Sequence, residues 1–333
     1  FHNNADSAYY YLASFTPPDK LSIVGTGFIV KITSFLSTDI GFSYGGTFLV
    51  FNIFGFIGLL GFAAALHQIH AATKYKSSNL SLLLPLLPGL NFWSSALGKD
   101  AISFCAVGLI SWGCLNFSKR YQIVIISVLI MALVRPHIAV LLIFSLVLTM
   151  LFLSRIRFIK KILFVFLFIP FFMGFVRFTL EYAGLGNSLL SMIDGDLLKY
   201  ILARQDLNSG GNSSIDIGSM SVPTRLMTYV FRPFFWDAKS FQAIFASVEN
   251  LIILLIISTA FFIRLSGQKS KLAPITTYFI LIFSLLSWIL LANTTANLGI
   301  AVRQKWMFVP FLLLMASSYF DKRSKLSKGV MRG

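Results

Sequence analysis

Acids and bases are scarce in this 333-residue chain, which has 12 Asp+Glu, 28 Lys+Arg and four His. Those placed to do chemistry lie at the edges of long apolar runs. Asp6 sits among Asn3, Asn4, Tyr9 and Tyr10. A carboxylate in such company can act as a general base toward an acceptor hydroxyl, and tyrosine rings can stack on a sugar. A solvated loop aspartate near a terminus fits the same residues, and on the residues alone is favoured. Lys99-Asp100 opens a helix after residues 88–95, where Asn91 and Trp93 form an amphipathic rim. An aspartate in a first turn complements the helix dipole, with Lys99 neutralising it; a second acid at the mouth of a cavity is the alternative. Arg135, between two apolar runs and beside the helix-breaking Pro136, needs a partner or a water-filled cavity. Its planar fork suits a phosphate, and His137 is placed to donate to the same ligand. Arg303 lies in the amide- and cation-rich stretch from Asn293 to Trp306, where Lys305 and Trp306 also read as anchors of a last span. Arg225 and Arg232 are further candidates, although lipid headgroup contact explains them as well. Arg177, Asp237 and Glu249 fall on the same side as these groups.

Other chemistry has no local signature. His67 and His70 share a helix face without further ligands nearby. Cys105 and Cys114 lie in one apolar run and read as small buried residues. No phosphate-binding loop, dinucleotide fingerprint or paired-cysteine metal motif occurs.

The elements that must position these groups are apolar. Hydrophobic residues make up 56% of the chain and charged residues 12%, with mean hydropathy +0.80. About 25% charged residues is usual for a soluble domain. A soluble enzyme, a disordered chain and a disulfide scaffold are excluded; an integral membrane protein remains. The net charge of +16 would suit nucleic acid, but the basic residues cluster in short loops between apolar runs, as the positive-inside rule requires.

Apolar runs fall at 47–66, 79–96, 101–117, 122–134, 137–153, 162–180, 242–263, 273–293 and 304–320, which predicts an all-α polytopic bundle of about nine spans. The 122–134 run reaches only about 20 Å of a roughly 30 Å core, so it predicts a broken or tilted pair with the run after Arg135-Pro136-His137. With residues 1–46 outside, the inner loops hold 16 of the 28 Lys and Arg and one acid, Asp321. That asymmetry fixes the orientation and puts the candidate residues on the outer side. The chain divides into an outer loop with an in-plane amphipathic helix (1–46), a bundle (47–180), a long outer loop (181–241) with a flexible centre at 208–214, further spans (242–320) and a basic cytoplasmic tail (321–333). A start at Phe1 rather than Met suggests a missing first helix, which would complete ten spans; signal-peptide cleavage gives the same topology for what remains.

An aspartate near an aromatic pair in the first outer loop, Asp6 with Tyr9 and the Tyr11-Leu12-Ala13 that follows, resembles the GT-C superfamily of polytopic glycosyltransferases. So does the stretch from Pro88 through Phe92-Trp93-Ser94 to Lys99-Asp100-Ala101, in which an Asp opens a membrane helix. Arg135-Pro136-His137, Phe231-Arg232-Pro233-Phe234 and Arg303-Gln304-Lys305 look like patterns in bacterial membrane proteins of polysaccharide clusters. The resemblance implies a transferase of the bacterial inner membrane, facing outward. Its partners would be a polyprenyl-phosphate-linked sugar, a glycan or lipid acceptor and the bilayer, with no nucleic acid. It implies Asp6 and Asp100 as catalytic residues and Lys99, Arg135, His137, Arg225, Arg232 and Arg303 as substrate-binding. The family often pairs acids in the first outer loop, whereas Asp6 stands alone. No metal site is therefore assigned, and a divalent cation stays an open alternative. The long late loop with its arginines also resembles O-antigen-type polymerases, and a non-catalytic lipid or glycan transporter is the third reading.

Overall fold

The longest helix shows how the chain is put together. The computed structural model describes residues 6–16, 22–71, 83–153, 213–238 and 240–320, with scattered helical positions between 159 and 177. We number as α1 the helix Asp6–Ala13, α2 Thr26–Ser34 and α3 the 28-residue helix Tyr44–Ala71. One face of α3 buries Thr47, Phe51, Gly55, Gly58, Gly61, Phe62 and Ala65. The other presents Leu49, Ile53, Phe56 and Leu60, each more than half exposed. A helix apolar on both faces is buried in protein or in lipid.

The buried face of α3 meets α5 (Lys99–Gly113) backbone to backbone. A Cβ on Gly108 would lie 1.8 Å from the Gly58 carbonyl oxygen, and one on Gly61 would lie 2.7 Å from Gly108. Only glycine permits this approach, the small-residue packing that joins helices where lipid removes the hydrophobic drive between them. α5 is central to the bundle, with 12 of its 15 residues buried.

The remaining helices are α4 (Pro88–Ser94), α6 (Tyr121–Val134), α7 (Pro136–Leu153), α8 (Val222–Phe231), α9 (Phe241–Leu265), α10 (Pro274–Thr294), α11 (Leu298–Gln304) and α12 (Val309–Ser317). No strand occurs among the described residues, only an isolated bridge between Ser214 and Asn297. Among the described residues four helices, α3, α7, α9 and α10, are long and apolar enough to cross a membrane; α11 and α12 make a fifth candidate bent by 54°.

The expected spans therefore need correction in three places. The 79–96 run is not one helix where it is described: a 3-10 turn, Leu84–Leu86, precedes α4, because Pro85 and Pro88 interrupt the backbone ladder. The 101–117 run gives a helix of only about 22 Å, which suits an element enclosed by protein. The last run starts earlier, at Leu298, and bends at Phe308 ahead of Pro310. The 122–134 run is short and broken as its length demands. Arg135, at φ −138° and ψ 75°, ends α6, and its carbonyl accepts from Ile138 and Ala139 at the start of α7. Pro136 forces this by barring the preceding residue from the helical region. Of the 162–180 run only scattered helical positions between 166 and 177 are described; most of the 208–214 loop, the basic tail and residues 17–21 of the amphipathic segment lie outside the described residues.

At one end of the bundle α1 and α2 lie over a small core of Tyr10, Ile29, Val30, Leu36, Phe51, Leu97, Ala101, Ile102 and Val134. The Gly25 N–H, at the start of α2, donates to the Leu133 carbonyl at 2.7 Å. That bond ties the first segment to the α6–α7 break. α1 carries Tyr9 and Leu12 outward, and Phe15 follows in the turn after it, all more than half exposed.

Candidate functional site

Four charged residues from four separated segments meet at this end. Asp100 stands in the first turn of α5, 3% exposed, and Arg135 at the α6–α7 break is 6% exposed. The Arg135 Nη2 donates to Asp100 Oδ1 at 2.5 Å, and its Nε donates to Ser103 Oγ at 3.2 Å. Arg303 of α11 donates from Nε to Asp100 Oδ2 and from Nη1 to Asp6 Oδ2. Its guanidinium also sits 5.7 Å from the centre of the Trp93 ring on α4, a distance at which the ring quadrupole attracts a cation.

Each position has a local cause. Asp100 sits in the first turn of its helix, where a negative charge complements the dipole. Arg135 is the residue that Pro136 sets outside either helix. Gly98, at φ 151°, turns the chain into α5 and leaves room for the Tyr10 ring, which would lie 3.1 Å from a Cβ there. Burial, reinforced by Asp6, pushes the Tyr10 hydroxyl up to about 12, so it stays a proton donor beside the cluster.

The two aspartates are not equivalent. Both Asp100 oxygens hold guanidinium groups inside the protein. In this arrangement Asp100 holds two arginines in place. The Asp6 side chain is 57% exposed and is held through one oxygen. Lys99 adds a third cation within electrostatic reach of Asp6, Asp100, Arg135 and Arg303 and forms no ion pair among the described residues. Three cations face two carboxylates, and the surplus positive charge suits a phosphate-bearing ligand. The same set does not fit a divalent cation, which wants several free oxygen ligands. Here both acids are committed to arginine and three cations stand close by. Among the described residues no three His, Cys, Asp or Glu come together.

Other expected residues lie elsewhere. Arg225 donates to the carbonyls of Met220 and Gly218 and to Asn293 Oδ1, at 2.9–3.1 Å, fastening its loop to the end of α10. Arg232 forms a two-pronged pair with Asp237 at 2.8 and 2.7 Å. Its hydrogen bonds hold the Asp237 carboxyl below the usual carboxylate range. Neither arginine joins the cluster; both spend their donors on local structure. His137 follows Pro136 in the first turn of α7, half-buried.

Lys305 and Trp306 do not anchor a span at an interface. They are 0% and 1% exposed, because the bend at Phe308 folds them inward. Lys305 Nζ donates to Asn250 Oδ1, and Asn250 Nδ2 donates to the Pro233 carbonyl at 3.2 Å. Glu249, also buried, accepts from the Gly89 N–H at 2.9 Å. The sequence grouped Glu249 with the candidate residues without a partner for it. The adjacent acid and amide at 249–250, in an otherwise apolar run, were the available signal. Cys105 and Cys114 are free and buried.

These features define a chain that is helical throughout its described elements, with helices long enough to cross a membrane, carrying a carboxylate–guanidinium cluster at one end of its bundle. No family model matches the sequence, and no curated protein or solved structure is similar to it.

Proposed function

We propose that the chain is a membrane glycosyltransferase of GT-C type. It would move a sugar from a polyprenyl-phosphate-linked donor to a glycan or lipid acceptor at the outer face of a bacterial inner membrane, in cell-surface polysaccharide synthesis. The convergence of Asp6, Asp100, Arg135 and Arg303 carries this reading. In the proposed step the acceptor hydroxyl gives its proton to Asp6 and its oxygen bonds the anomeric carbon. The bond from that carbon to the phosphate oxygen breaks, and the lipid phosphate leaves with the electron pair. Arg303, Arg135 and Lys99 offset the charge that develops there, the contribution of preorganised cations to such reactions. Asp100 keeps the two guanidinium groups in register before the donor arrives. The polymerase alternative leans on Arg225 and Arg232, whose internal bonds favour it less.

The test is a lipid-linked saccharide profile, by mass spectrometry, of membranes carrying the parent chain or Asp6→Asn at equal abundance. The expected result is one added sugar in the parent and a loss of at least about 100-fold in the variant, the scale of general-base removal. Transfer at the parental rate in Asp6→Asn sinks the assignment. A ladder of repeat units surviving it supports the polymerase. Lipid-linked substrate crossing vesicles with no product supports the transporter.

A further inference from the structure

The cluster does not use the most deeply buried ionisable groups near it, Glu249 and Lys305, which are 2% and 0% exposed. Charged groups at such depth are costly and are kept for a reason. Glu249 Oε1 accepts from the Gly89 N–H, with the Leu90 N–H beside it, so a carboxylate from α9 caps the start of α4. Its Oε2 has no hydrogen-bond partner among the described residues and lies against the Gly89 backbone, 2.2 Å from where a Cβ would stand. Lys305 lies within electrostatic reach of Glu249 and is bonded to the neighbouring Asn250.

α4 carries Trp93, and Lys305 follows Arg303 by two residues on the bent segment. The Glu249–Asn250–Lys305 unit therefore grips both elements whose side chains meet at 5.7 Å in the cluster. We infer that Glu249 and Lys305 are positioning residues, which fix α4 against α11 so that Trp93 and Arg303 face one ligand. The functional half of this inference rests on the cluster being a ligand site; the geometric half does not.

The experiment reads the distance between α4 and α11 with no substrate present. Spin labels go on cysteines placed at Phe92, 58% exposed, and Ile300; the two native cysteines are buried and escape labelling. In reconstituted protein the parent gives a narrow distribution. Glu249→Leu broadens or shifts it, and Glu249→Gln restores it because an amide oxygen still accepts from Gly89. If Glu249→Leu does not accumulate, Lys305→Met is read instead and shows the same disturbance. An undisturbed distribution in either variant overturns the inference, and so does a glutamine that behaves like leucine. In the transfer assay Glu249→Leu loses about 100-fold, the scale of an ångström-sized misplacement, and Glu249→Gln recovers most of it. A shifted distance with no transfer even by the parent removes the proposed function and leaves the positioning role. An active parent with unshifted variants removes the positioning role alone.

Discussion

Asp6 and Asp100 carry one functional group in two surroundings, and the difference predicts opposite costs of the same substitution. Asp100→Asn leaves the buried Arg135 and the half-buried Arg303 short of a counter-charge and costs about 3–5 kcal/mol, the scale of breaking a buried pair. Asp6→Asn, on a side chain 57% exposed, changes stability by less than about 1 kcal/mol. Thermal unfolding of the two purified variants in one detergent separates them, and equal losses would contradict the burial argument. Asp237 gives a pH test. Its carboxyl is held low by the hydrogen bonds from Arg232, so the folded state binds its proton less readily than the unfolded chain. Its stabilisation is complete above the ordinary carboxylate value of about 4 and fades as pH falls through the lower folded value. The midpoint difference between the parent and Asp237→Asn should be present at pH 7 and shrink below pH 4.

At the scale of elements, two glycines report on packing that no side chain makes. A methyl group at Gly108 would run into the Gly58 carbonyl, so Gly108→Ala pushes α5 off α3 and costs about 1–3 kcal/mol, as overpacking does. Gly89→Ala drives a methyl into the Glu249 carboxylate, and the same α4–α11 label distance should shift as it does in Glu249→Leu. The sequence made some elements legible and hid others, for physical reasons. Pro136 beside Arg135 announced the α6–α7 break, since proline restricts its predecessor whatever the tertiary setting. The run lengths at 47–66, 242–263 and 273–293 announced α3, α9 and α10. The broken 79–96 segment was misjudged because hydropathy averages over Pro85 and Pro88 as if they were neutral. Lys305 was misjudged because interfacial and buried lysines share one flanking composition, and only the bend distinguishes them. α1 and its contact with Arg303 were invisible, because a pairing across 297 residues leaves no local periodicity.

For the whole molecule, the charge asymmetry sets a testable orientation. Single cysteines at Lys119 and at Asp216, read with a membrane-impermeant thiol reagent on intact cells, should label from opposite sides: Asp216 directly, Lys119 only after the membrane is opened. Labelling of Lys119 in intact cells would reverse the orientation and put the cluster on the cytoplasmic face.

The reach of the ion-pair network has a consequence for how the protein is made. Asp100 and Arg135 are separated by 35 residues, so they leave the ribosome almost together and can enter the membrane as a neutralised couple. Arg303 follows Asp100 by 203 residues. During that interval the half-built bundle holds one oxygen of Asp100 unclaimed and Asp6 untethered. α1 and α2 can already dock through the Gly25–Leu133 bond, but Asp6 has no arginine partner until Arg303 is made. Completion of the cluster waits for Arg303, and a ribosome stalled before it leaves a bundle without a finished site.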